Sequence, residues 1–182
     1  MVIAFSFSAQ GQYHAGVLYG LKGNVKEIKA KSENPLVKGK TKFLENGMKK
    51  LSLLTYNDEG YPIGCSMQGW GDNYKSISIA YNDRNLPSMV EIKDNTKKGL
   101  SVMSFEMKYD SSGNLSECVL ESVLTGEETT KTGSTYTLFQ YSDYKFDAQG
   151  NWISRTCHQG NKIDGNIIKG KTYTETREIK YF

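Results

Sequence analysis

The chain has 182 residues, of which 37% are hydrophobic and 12% aromatic, with three cysteines and a net charge of +3. That length suits one domain with its own core. Three cysteines exclude a disulfide-dense scaffold, no run approaches the roughly twenty apolar residues of a membrane-crossing helix, and so small a charge singles out no class of partner.

Residues 1–11, MVIAFSFSAQG, are an apolar run followed by small residues. They read as the end of a secretory signal without its positively charged start. Residues 1–18 are therefore assigned to a signal remnant and leader, residues 19–182 to a single β-repeat domain, and the chain to a secreted or periplasmic location. Residues 19–28 read as a loop entering a first strand. Residues 22–42 hold seven lysines against two glutamates. These read as solvating and protecting strand edges rather than as a track for a nucleic-acid backbone or an acidic glycan.

At 43–48 the run FLENGM places Asn46-Gly47 between two runs of strand character, which predicts a hairpin. Four clearer copies of one pattern follow: YNDEGYP at 56–62, YNDRNLP at 81–87, YDSSGNL at 109–115 and FDAQGNW at 146–152. Each places an aromatic anchor before an Asp/Asn-bearing turn whose fourth residue is glycine or asparagine. Asp or Asn accepts hydrogen bonds from backbone amides further on, and Gly or Asn tolerates positive φ, which together make a type I turn followed by a bulge. Asp58 with Gly60, Asp83 with Asn85, Asp110 with Gly113 and Asp147 with Gly150 are assigned as the structural turn residues.

Each interval between anchors is long enough for two strands and a second connection. Before the anchors, apolar residues alternate with polar ones: Leu54 accompanies Tyr56, Ile77 and Ile79 accompany Tyr81, Phe105 and Met107 accompany Tyr109, and Tyr144 accompanies Phe146. Period two with one apolar face predicts an all-β antiparallel meander of about ten strands, forming one curved or partly rolled sheet. The polar stretch 125–135 reads as an insertion at a hairpin tip, and residues 171–182 as a closing strand.

Candidate chemistry is sparse. Cys65, Cys118 and Cys157 fall at odd offsets after the turns, on one face of the returning strands, and read as small buried hydrophobes. Cys157 and His158 are strand neighbours facing opposite sides, which excludes a thiolate–imidazole pair. Metal-ligand spacings and phosphate-cradling glycine loops are absent from the sequence. No catalytic, cofactor-binding or metal residue is assigned, and the chain is expected not to be an enzyme.

The YDSSGNL copy and its relatives resemble the YD repeats of Rhs-type and teneurin-like proteins. With the opening at 19–28 and the ending REIKYF, the chain looks like the small secreted YD-type proteins common in Bacteroidetes. MORN-type repeats are the nearest rival resemblance. The YD resemblance implies a scaffold that binds rather than catalyses: a secreted or periplasmic interaction module with a glycan or protein ligand, no cofactor, and self-association through the apolar sheet face as a further partner. Trp70, Trp152 and Tyr141 are the candidate contact aromatics. Two alternatives stand beside it: a hydrolase of envelope polysaccharide using loop carboxylates, and a cytoplasmic immunity- or antitoxin-like protein.

Overall fold

The computed structural model describes residues 15–32, 39–46, 53–68, 73–96, 99–125, 134–163 and 166–182. After a short 3-10 helix at Ala15–Tyr19 come eleven strands: β1 (Val25–Lys31), β2 (Gly39–Lys42), β3 (Thr55–Tyr56), β4 (Pro62–Gln68), β5 (Tyr74–Tyr81), β6 (Pro87–Thr96), β7 (Gly99–Tyr109), β8 (Leu115–Thr125), β9 (Ser134–Phe146), β10 (Trp152–Ile163) and β11 (Asn166–Tyr181). The described residues contain no α-helix. The antiparallel meander expected from the alternation is the observed architecture.

All eleven strands belong to one sheet, in the order β2-β1-β11-β10-β9-β8-β7-β6-β5-β4-β3. This order is the chain order written on a circle and cut between β2 and β3. The first strand therefore pairs with the last, Ile28 opposite Ile179 and Ala30 opposite Arg177. Among the described residues the sheet stays open at the β2/β3 seam.

The seam also answers the Asn46-Gly47 expectation. Following the antiparallel pairs round the sheet, β2 and β3 both run toward the repeat turns, so these two strands are not the arms of one hairpin. Glu45 and Asn46 do lie in a turn, and residues 47–52 fall outside the described residues.

Alternation assigns every strand an inner and an outer face. Val25, Ile28 and Phe43, from the β1/β2 side, form a buried cluster, and Tyr56 of β3 packs against it. Side chains from opposite edges of the sheet thus meet on one face, which makes that face the concave one. A second cluster in the middle joins Cys118, Phe139, Cys157 and Tyr173, with Phe105, Met107, Leu120 and Tyr141 around it. The 3-10 helix lies at the same end as the repeat turns: Tyr19 and Leu21 pack on the first cluster, and the Tyr19 and Phe43 rings meet edge to face at 5.7 Å.

Candidate binding face

The repeat turns close one end of the rolled sheet. Gly60, Asn85, Gly113 and Gly150, the fourth residues of the four turns, have φ of +83°, +56°, +84° and +76°. In each turn the first residue accepts the amide of the fourth and donates its own amide across the hairpin, as Asn82 does with Asn85 and Leu86 at 2.9 Å each. The side chains that cap these turns are Asn57, Asn82, Asp110 and Asp147. Asp58 and Asp83, assigned from the sequence, sit one position later and are exposed. The capping group directly follows the anchor, where the first two copies carry asparagine, while Asp58 and Asp83 occupy the second turn position.

The anchors do more than pack. The Tyr81 hydroxyl donates to the carbonyl of Pro62 at 2.6 Å, Tyr109 to that of Pro87 at 2.7 Å and Tyr144 to that of Leu115. Each acceptor is the first residue of a returning strand in the preceding hairpin, so every hydroxyl ties one hairpin to the next. In the fourth copy the sequence anchor is Phe146, which has no hydroxyl. Asp143 adopts φ +53°, the β9–β10 register slips there, and Tyr144 takes the anchoring role with its ring stacked on Phe146 at 5.8 Å.

At the β9–β10–β11 corner the last step is made by charge. Arg155 and Glu175 are buried, with the Arg155 Nε donating to Glu175 Oε2 at 2.7 Å and Nη2 lying 2.6 Å from the same oxygen. The other Glu175 oxygen accepts from the Ser32 hydroxyl at 3.0 Å. Arg177, equally buried, donates to the carbonyls of Trp152, Tyr19 and Gly20. Burial and the neighbouring Arg155 both disfavour its charge, and Asp147 opposes them. Trp152 lies between the two guanidinium groups, 4.3 Å from Arg155 and 3.9 Å from Arg177. Asn151, fully buried, accepts the Lys22 amide at 2.6 Å and donates to the Lys22 carbonyl at 2.9 Å. Together Arg177 and Asn151 clamp residues 19–22 onto the sheet.

This corrects the expectation of an exposed contact aromatic for Trp152. Trp152 retains only 9% of its surface, and Tyr141 is half-buried under the Arg155 guanidinium at 3.7 Å. Their ring faces are taken because a buried cation with few acceptors gains from an aromatic quadrupole. Trp70 lies outside the described residues. Arg155, Glu175 and Arg177 were missed in the sequence, although a signal was there. Arg155 occupies the slot filled by Cys65, Val90 and Cys118 in the other copies, and Glu175 and Arg177 alternate with threonines along an inner-facing run.

Beyond this corner the inner face is apolar but not sealed. Ile77 pairs with Ile92, Ile92 with Met103 and Phe105 with Leu120, and all five are only half-buried. Eight rolled strands leave just enough room for their own side chains, and larger rolls leave space inside. An eleven-stranded one therefore leaves its central side chains in contact with solvent. Toward the end away from the repeat turns the same face becomes polar, with Lys75 and Asp94 paired at 3.2 Å.

The reactive groups are quiet. Burial pushes the Cys118 thiol up to about 12 against the opposing pull of Arg155, and raises Cys157 as well. Among the turn carboxylates, Asp110 and Asp147 are held below their usual value: desolvation would raise each, but turn amides, with the Tyr181 hydroxyl at Asp147, outweigh it. An acid–base pair would need one carboxyl shifted the other way. Among the described residues no group of three or more metal-ligating side chains comes together. No family model matches this chain, and no curated protein or solved structure matches it either.

Proposed function

We propose that the chain is a non-catalytic binding module, secreted or periplasmic, that holds a glycan or protein ligand on the inner face of its rolled sheet. One observation carries this reading: Ile77, Ile92, Met103, Phe105 and Leu120 face inward yet stay half-exposed. Monomeric proteins rarely leave contiguous apolar surface uncovered without a use for it. Around that face the hydroxyls of Tyr81, Tyr109 and Tyr144 and the Arg155–Glu175 pair hold strands together, which suits a rigid receptor.

The YD-type scaffold suggested by the repeat fits this role, because its repeated residues are engaged in turns. The test is a binding screen of envelope glycans and proteins against the wild type and the Ile92→Gln/Met103→Gln variant, whose residues are register partners. The variant is expected to lose the ligand while keeping its thermal midpoint within a few degrees. Ligand binding that survives both substitutions overturns the inner-face site.

A further inference from the structure

The outer face carries a charge asymmetry that the inner-face reading does not use. With Ile28 and Ala30 inward, Glu27, Lys29 and Lys31 of β1 point outward. In register beside them stand Lys40 and Lys42 of β2 and Glu178 and Lys180 of β11. Five lysines therefore share one surface with two carboxylates. Glu27 alone faces three of them, with Lys40 at 3.0 Å, Lys180 at 3.5 Å and Lys42 at 4.0 Å. Lys31 reaches Glu178 at 3.5 Å. The lysine side chains in these pairs stay more than half exposed, up to 69% for Lys180.

Protection of a sheet edge accounts for lysines on β2, the edge strand. It does not account for Lys29, Lys31 and Lys180, because β1 and β11 are flanked on both sides. On the outer face of β6, β7 and β8 the balance reverses, with Glu91, Glu106, Glu117 and Glu121 against Lys93 and Lys108. The strand order places these two regions far apart around the roll, so the molecule has a basic and an acidic pole.

The basic pole is a mesh of ammonium groups whose anchor points are spaced about 5 Å across strands and about 7 Å along them. Glu27 is largely covered by its three lysines, at 13% exposure, but one carboxylate cannot neutralise three ammonium groups whose own side chains stay more than half exposed, so positive charge is left over for a ligand anion. Next to them runs a strip of hydroxyls, exposed Thr172, Thr174 and Thr176 on β11 with Ser154 and Thr156 on β10. The outer faces of β1, β2 and β11 carry no aromatic ring on which a base could stack; the nearby Phe182 ring, with Lys26 5.5 Å from its centroid, lies past the end of β11 and is half exposed. Anionic charge beside many hydroxyls, read without stacking, is the chemistry of an acidic polysaccharide. We propose that the outer face of β2, β1 and β11 is a binding surface for such a polymer.

The test measures binding of a uronate polysaccharide, a neutral glucan, and single- and double-stranded DNA of matched length, at low and moderate salt. The expected result is uronate binding that falls steeply with salt and weakens about tenfold in Lys29→Gln/Lys40→Gln/Lys180→Gln. Lys93→Gln/Lys108→Gln, at the acidic pole, should leave it unchanged, as should Ile92→Gln/Met103→Gln on the inner face. Circular dichroism and thermal melting of each variant confirm that the exposed substitutions leave the fold intact. Absence of uronate binding, equal loss in both lysine variants, or tighter binding of either DNA overturns the proposal.

Discussion

The hydroxyl of Tyr109, at the end of β7, donates to the main-chain carbonyl of Pro87 at the start of β6, 2.7 Å away. Tyr81 and Tyr144 make the equivalent bond one hairpin to either side. The repeated aromatic is thus a staple between successive hairpins, which explains why the repeat favours tyrosine over phenylalanine.

Tyr109→Phe keeps the ring and removes only the staple, leaving a half-buried carbonyl without its partner. Urea denaturation should show a loss of about 1–2 kcal/mol. Tyr109→Ala also removes the ring from the packed end and should cost about 3–5 kcal/mol. Equal losses in the two variants would mean that the hydroxyl contributes nothing.

Removing one partner of the buried Arg155–Glu175 pair strands a charge. Arg155→Met or Glu175→Gln alone should each destabilise by about 3–5 kcal/mol, while Arg155→Met/Glu175→Met should recover much of that loss. A double-mutant cycle on thermal and urea melts checks the coupling, and strict additivity would contradict it.

Asn85 is the one non-glycine residue among the four left-handed turn positions, at φ +56°. Asn85→Gly relieves that conformation and should change stability by less than about 1 kcal/mol. Gly113→Ala, at φ +84°, should destabilise by about 1 kcal/mol or more. Differential scanning calorimetry of the two variants reads the contrast directly.

Asp110 and Asp147 have depressed folded-state pKa values. A carboxylate depressed on folding contributes stability above its unfolded pKa of about 3.9, and that contribution is lost as pH falls through the folded value. Thermal midpoints should therefore drop between about pH 5 and pH 2. Asp110→Asn/Asp147→Asn should start lower at neutral pH and show a shallower acid slope.

The thiols offer a check on the packing. Cys118 and Cys157 are buried while Cys65 is half-exposed. A thiol reagent at neutral pH should label one cysteine in the folded protein and all three in denaturant. Fast labelling of Cys157 in the native state would show that the central cluster opens.

Much of the architecture was legible because turn chemistry is local. An Asp or Asn after the anchor and a Gly or Asn three residues later determine a bulged turn without help from the rest of the chain, and alternation assigns the faces between turns. The setting of Trp152 and Tyr141 was not legible in the same way. It depends on Arg155 and Arg177, whose partners lie on another strand and at the start of the chain. No local pattern links Arg177 to Tyr19.

What the sequence by itself determined is the repeating hairpin: strand direction, apolar face and turn type, all set by interactions within a few residues. Only the tertiary structure decided that β1 closes onto β11, that Tyr56 packs on the Val25, Ile28 and Phe43 cluster across the seam, and that lysines from both ends of the chain share one outer face. Those relationships join residues far apart in sequence, and they exist only once the sheet has curled enough to bring its ends together.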